Sequence, residues 1–182
     1  YYDEFTRKAD WSTRWNNKSW DLAEKKLLVV GYGRIGTRVV KRAKAFDMEV
    51  FVYDPYVSQQ LIEKSGAKKI NNMEDFLPIF DVVTVHCPRN EETENMFSES
   101  QFDKMKKNSY IINCARGGII NEQDLYFALK NEKLAGAGLD VFDIEPAPIS
   151  NELLSLQNVI LSPHIAGVTV EATIRMSKES VQ

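Results

Sequence analysis

The apolar run LLVV enters the glycine-rich turn Gly31-Tyr32-Gly33-Arg34-Ile35-Gly36 and then a helical stretch, and this junction constrains the chain more than any other feature. The spacing is GxGxxG between a strand candidate and a helix candidate. The first glycine permits the tight turn, the second lets a pyrophosphate approach the backbone, and the third lets helix and strand pack closely. The helix start offers free N–H groups and partial positive charge to phosphates. Asp54 ends the next strand candidate, EVFVY, at about the 20-residue interval where a carboxylate takes ribose hydroxyls. Together these features read as a dinucleotide site. The plainer alternatives are a tight turn at the glycines and a turn acid before Pro55. An acid at this place favours NAD over NADP, because a 2′-phosphate would meet its charge.

The rest of the chain alternates with a regular beat. Strands are expected at 26–30, 49–53, 81–86, 110–113, 136–141 and 159–161, with a short one near 68–70. Helices are expected at 34–46, 59–64, 73–79, 99–104, 122–131, 152–154 and 169–182. Such alternation implies an α/β fold, a doubly wound parallel sheet covered on both faces (a Rossmann fold). VVTVH and YIIN lack clean alternation, as expected for strands buried on both faces. Residues 1–20 hold all three tryptophans, Trp11, Trp15 and Trp20. Tyr1, Tyr2, Phe5, Ala9 and Trp15 fall near helical period, so this segment reads as a linker or interface helix. Residues 21–182 then form the dinucleotide-binding domain.

Composition narrows the function classes. A length of 182 residues suits about one domain. The net charge of −3 gives no basic excess for a phosphate backbone, so nucleic acid is not expected as a partner. No apolar run is long enough to span a membrane, and the polar opening YYDEFTRKAD does not read as a signal peptide. The two cysteines, Cys87 and Cys114, make neither a disulfide framework nor a metal site. A reducing, cytoplasmic setting is the simplest reading.

Ligands of open α/β sheets bind beyond the carboxyl ends of the strands. Arg116 follows YIINCA, Glu145 follows GAGLD, and His164 follows VILSP, so all three should converge on one crevice. Arg116 can bind a carboxylate bidentately. His164 can exchange a proton near neutral pH, and Glu145 can hold its imidazole and stabilise the imidazolium. With a hydride carrier, these groups suffice to interconvert a 2-hydroxy acid and a 2-keto acid. Taken singly, they also read as a turn arginine, a solvated loop acid and a structural histidine. His86 reads as a structural or cofactor-wall residue, Cys87 and Cys114 as small fillers, and Lys104, Lys106 and Lys107 as a solvated helix end.

GYGRIG, VYDP, HCPRNEETENM, INCARGGIINEQDL, AGAGLDVFDIEP and LSPHIAG resemble, in order, the motifs of the NAD-dependent D-isomer-specific 2-hydroxyacid dehydrogenases. The resemblance implies Arg116, Glu145 and His164 as the catalytic set. Besides Gly31, Gly33 and Gly36, it implies cofactor contacts at Arg34, Ile35, Asp54, Cys87, Pro88, Cys114, Ala115 and Asp140. Ala166 and Gly167 would lie beside the nicotinamide, and Asp140 would hold its carboxamide. Tyr32 stands where a small or aliphatic residue is more usual. Family members carry a second domain that closes over the substrate; here it is not expected, and the chain reads as an isolated cofactor domain. The expected substrate is a small 2-hydroxy or 2-keto acid, phosphoglycerate first, with glyoxylate, hydroxypyruvate and lactate behind it. A homodimer is expected. The alternative function is a non-catalytic NAD-sensing module of the corepressor kind.

Overall fold

The computed structural model describes residues 2–15 and 19–179. Seven parallel strands form one sheet: β1 (Lys26–Val30), β2 (Glu49–Tyr53), β3 (Lys68–Ile70), β4 (Val82–Val85), β5 (Tyr110–Asn113), β6 (Gly136–Leu139) and β7 (Val159–Leu161). Their order is β3-β2-β1-β4-β5-β6-β7. The chain winds outward from β1 in one direction and from β4 in the other, which is the doubly wound topology expected from the alternation. The helices are α1 (Tyr2–Arg7), α2 (Gly36–Ala45), α3 (Gln59–Glu63), α4 (Glu99–Lys104), α5 (Glu122–Lys130) and α6 (Val170–Glu179).

The strands divide their side chains between two cores. Leu27, Val29, Val50 and Val52 face Val40 and Ala43 of α2 and Ile62 of α3. Leu28, Val30 and Phe51 point the other way, towards Leu77, Phe102, Leu125 and Leu129. Successive side chains of a strand leave on opposite faces, so burial on both sides produces the unbroken apolar run LLVV. Helix α2 buries Gly36, Val40 and Ala43 along one stripe and turns Arg38, Lys41 and Arg42 outward. It ends with Asp47 in the left-handed region at φ 57°, while the Met48 N–H returns to the Ala43 carbonyl at 3.2 Å.

Several expected boundaries move. Strands β4 and β6 are shorter than the expected 81–86 and 136–141, although the Asp81, His86 and Asp140 N–H groups still bond the Lys26, Val30 and Asn113 carbonyls of neighbouring strands at 2.9, 2.7 and 3.0 Å. At the start of β4 the Asp81 carboxylate takes the Lys26 N–H at 2.8 Å, where a regular ladder would continue with a backbone carbonyl. Helix 73–79 is a 3-10 helix over Glu74–Ile79, with Pro78 inside it, and 152–154 is a 3-10 turn over Glu152–Ser155. Helix 34–46 begins only at Gly36.

The continuous N-terminal helix does not form. Helix α1 stops at Arg7, and a separate 3-10 turn covers Ser12–Trp15. Between them Ala9 adopts a φ of 54° and the Asp10 side chain accepts from the Ser12 N–H at 2.9 Å, which breaks the stripe. Tyr1 of that stripe and positions 180–182 of the last helix lie outside the described residues. Trp11 and Trp15 stay 68% and 76% exposed, while Trp20 packs on Tyr110 with ring centroids 5.4 Å apart. The supposed solvated lysines are partly paired: Lys106 meets Asp81 at 2.6 Å, and Lys104 meets Glu74. Among the described residues, no helix is long and apolar enough to cross a membrane.

Candidate active site

The glycine turn lies at the carboxyl end of β1. Gly31 has a φ of 94°, which a residue with a side chain rarely adopts. At Gly36 an added Cβ would fall inside the Gly31 carbonyl oxygen, so helix α2 reaches its position only without a side chain there. An added Cβ at Gly33 would meet nothing within 4 Å. Helix α2 starts at this opening without a side-chain cap. An open backbone cradle at an uncapped helix start fits a pyrophosphate.

Asp54 stands across the turn. Its Oδ2 accepts from the Tyr32 N–H at 2.8 Å and its Oδ1 from the Tyr56 N–H at 2.9 Å. These bonds orient the carboxylate and leave each oxygen a further acceptor direction. Asp54, Gly31, Gly33, Tyr56, Cys87 and Pro88 line a cleft of about 380 Å³. A neighbouring cavity of about 400 Å³ is lined by Ile35, His86, Cys87, Pro88, Cys114, Ala115 and Arg116, among others. Expected cofactor contacts from four strand ends therefore share one continuous wall. Burial pushes the Cys87 thiol up to about 11 and raises Cys114 as well, so neither is a ready thiolate. Burial lowers the His86 imidazole, whose Nε2 sits 2.9 Å from the Thr84 hydroxyl. Among the described residues, no group of three or more His, Cys, Asp or Glu is placed to hold a metal.

The second half of the site lies at the ends of β5, β6 and β7. Arg116 is exposed on a turn clamped by buried Asn113, whose Nδ2 donates to the Arg116 carbonyl at 2.9 Å and whose Oδ1 accepts from the Ala115 N–H at 3.0 Å. The next residue, Gly117, packs so close to the Phe142 carbonyl that an added Cβ would overlap it. The Arg116 turn and the loop after β6 are thus locked backbone to backbone. In that loop Glu145 Oε1 accepts from the Phe142 N–H at 3.0 Å. Its Oε2 lies 2.7 Å from His164 Nδ1. The histidine's hydrogen bond and the Phe142 N–H together hold the Glu145 carboxyl below its usual range.

His164 has a φ of 55°, in the left-handed region where histidine is enriched among non-glycine residues. Asp140 holds this conformation. It is only 3% exposed and accepts from the Ser162 hydroxyl at 2.6 Å and the Ile165 and Ala166 N–H groups at 2.9 and 2.8 Å. Burial pulls its carboxyl upward, but these three donors outweigh burial and the net shift is downward. Asp140 is therefore a staple for the His164 turn, with one acceptor direction left over. Sequence reasoning missed this role, and missed Asn113, Gly117 and Ser162. Asp140, Gly117 and Ser162 act through partners on another segment, and Asn113 through its own turn; the sequence shows only a polar residue or a glycine beside a strand end.

The chain matches known proteins along most of its length. The family model described as "D-isomer specific 2-hydroxyacid dehydrogenase, NAD binding domain" matches residues 1–166. D-3-phosphoglycerate dehydrogenase of Archaeoglobus fulgidus is 43% identical over 166 residues, which is 90% of this chain and 31% of that protein. Glyoxylate reductase of Korarchaeum cryptofilum is 37% identical over 179 residues, covering 97% of this chain and 54% of the relative. Among solved structures, D-lactate dehydrogenase from Aquifex aeolicus, complexed with NAD and lactic acid, superposes with a TM-score of 0.89 at 31% identity, covering 99% of this chain and 58% of that one. The chain thus spans between about a third and a little over half of these relatives. With its glycine turn, its acid after β2 and its motifs at the strand ends all within the matched region, the chain belongs to the D-isomer specific 2-hydroxyacid dehydrogenase family, as the NAD-binding domain.

Proposed function

We propose that this domain binds NAD and supplies half of an active site that interconverts a D-2-hydroxy acid and a 2-keto acid. The observation that carries the reading is the 2.7 Å contact between His164 Nδ1 and Glu145 Oε2 at the strand ends. Gly31, Gly33, Arg34, Ile35 and Gly36 cradle the pyrophosphate, and Asp54 takes the ribose hydroxyls. Cys87, Pro88, Cys114 and Ala115 form the wall. Ala166 and Gly167 flank the nicotinamide end, where the remaining acceptor of Asp140 suits a carboxamide. When bound, NADH supplies the hydride for keto-acid reduction.

The chain's own residues supply binding and the proton. The Arg116 guanidinium offers parallel donors to the substrate carboxylate. Glu145 engages Nδ1 of His164 and so assigns proton exchange to Nε2. In reduction His164 gives that proton to the substrate oxygen; in oxidation it removes it. The Glu145 charge stabilises the imidazolium in between. A phosphoglycerate-type acid is the first candidate substrate, with glyoxylate, hydroxypyruvate and lactate next; the relatives' names support phosphoglycerate, glyoxylate and lactate. We place the working protein in the cytoplasm as a homodimer, a reading supported by the free thiols and the exposed Trp11 and Trp15.

Titration with NADH and NADPH, followed by a keto-acid panel on the intact enzyme, tests the function. NADH should bind much more tightly than NADPH, and at least one 2-keto acid should be reduced. Equal binding of both nucleotides would remove the role given to Asp54. Absence of turnover with every acid would leave only the NAD-sensing alternative.

A further inference from the structure

Glu122, the first residue of α5, uses both carboxylate oxygens outside its own helix. Its Oε1 accepts from the Asp143 N–H at 2.6 Å, and its Oε2 accepts from Asn151 Nδ2 at 2.7 Å. Asp143 lies two residues before Glu145, and Asn151 lies at the far end of the same loop. The carboxylate therefore spans the base of the loop that presents Glu145. The same chain segment begins at Arg116, passes the Gly117 contact with Phe142, and ends at Glu122. Glu145 itself is exposed, with Phe142 N–H and His164 as its hydrogen-bond partners. Burial pushes the Glu122 carboxyl up, and the charge of Asp143 adds to this against its hydrogen bonds. The Asn121 side chain already caps α5 by accepting from the Asp124 N–H at 3.0 Å, so the Glu122 carboxylate is left to the loop.

We propose that Glu122 is a positioning residue that braces the 142–151 loop and thereby holds Glu145 against His164. The proposal rests on the reading of His164 and Glu145 as the proton-transfer pair. Its distinguishing signature is the tautomer of His164, since a neutral imidazole places its proton according to the partner of the other nitrogen. The chain has 2 histidines, so nitrogen NMR on histidine-labelled chain gives two resolvable rings.

In the parent, neutral His164 should carry its proton on Nδ1. In Glu122→Ala and Glu122→Asp, which remove or shorten the brace, that preference should be lost. Glu122→Gln should keep it in part, because an amide oxygen still accepts from the Asp143 N–H while its NH2 faces the Asn151 Nδ2 donor and loses that bond. In the intact enzyme, Glu122→Asp should lower kcat by up to about 100-fold, the scale of a small misplacement, with KM for the keto acid near the parental value. If Glu122→Ala does not fold, Glu122→Asp and Glu122→Gln decide. An unchanged His164 tautomer in Glu122→Asp, or a larger loss in Glu122→Gln than in Glu122→Asp, would overturn the proposal. A parent that turns over no keto acid sinks the functional reading instead, and the tautomer result still decides the brace.

Discussion

The two halves of the crevice are built by different means. Around β1 and β2 the site is made of backbone: a tight glycine turn, an uncapped helix start and an aspartate oriented by nearby N–H groups. Its supporting strand is wholly interior, with Leu28 and Val29 at 0% exposure. Around β6 and β7 the site is made of side chains held by partners from distant segments. The supporting edge there is open: Ile160 of β7 is 80% exposed, and α6 buries no residue. The first half tolerates no added atom at its closest approaches. The second half depends on hydrogen bonds that reach across 19 to 26 positions of sequence. Steric contact dominates the rigidity of the first half, whereas in the second the Gly117 contact is joined by a set of long-range polar bonds.

The largest effect should come from Gly36→Ala. The clash is with backbone, which cannot yield cheaply, so a loss of about 3 kcal/mol or more is expected, at the upper end of overpacking costs. Chemical denaturation measures it; a stability equal to the parent's would mean that the glycine-loop half is softer than drawn here. Gly117→Ala carries the same kind of clash into the other half. It should cost as much, about 3 kcal/mol, and also disturb the His164 ring signals, because the Phe142–Glu145 turn must move.

Asp140→Asn should come next, at about 2 kcal/mol, since one buried donor loses its acceptor. Its effect should be seen first as faster amide exchange at Ile165 and Ala166, before any change at the glycine turn. Simultaneous loosening of both halves would erase the distinction between them. Gly33→Ala should change stability by less than about 0.5 kcal/mol, because the added methyl meets nothing. It should still weaken NADH binding by about tenfold, equivalent to about 1.4 kcal/mol. Calorimetry and thermal unfolding on the same sample separate the two.

The smallest effect is in pH. Asp140 and Glu145 both titrate below their ordinary values of 3.8 and 4.5. The folded chain therefore binds fewer protons than the unfolded one in that range. The stability these acids contribute is complete above their ordinary values and is lost as pH falls through the folded ones. Urea midpoints should decline in acid, and less steeply in Asp140→Asn. In His164→Gln the Glu145 carboxyl should move back up. A carboxyl resonance that stays put would show that the imidazole is not what lowers it.

Most of the architecture was legible because its causes are local. Strands 26–30, 49–53, 110–113 and 159–161 keep their expected bounds, since apolar runs between turn residues define them. The N-terminal helix misled for an equally local reason: its apolar spacing is right, but Ala9 and Asp10 turn the chain. The strands end one or two residues inside the expected 81–86 and 136–141, and the Asp81 and Asp140 carboxylates take N–H partners on distant segments, which spacing does not show.

By itself, the sequence determined the parallel alternation, the glycine turn, the acid after β2 and the strand ends from which Arg116, Glu145 and His164 emerge. Backbone dihedral preferences and the two-sided burial of strands act over a few residues, and they are written in residue type and spacing. Only the tertiary structure decided that Gly117 abuts Phe142, that Asp140 spends its acceptors on the His164 turn, and that Glu122 spans the loop bearing Glu145. Those contacts join groups far apart in sequence. A polar group withdrawn from water must find a partner, but which partner it finds depends on where the packed sheet and helices bring the chain.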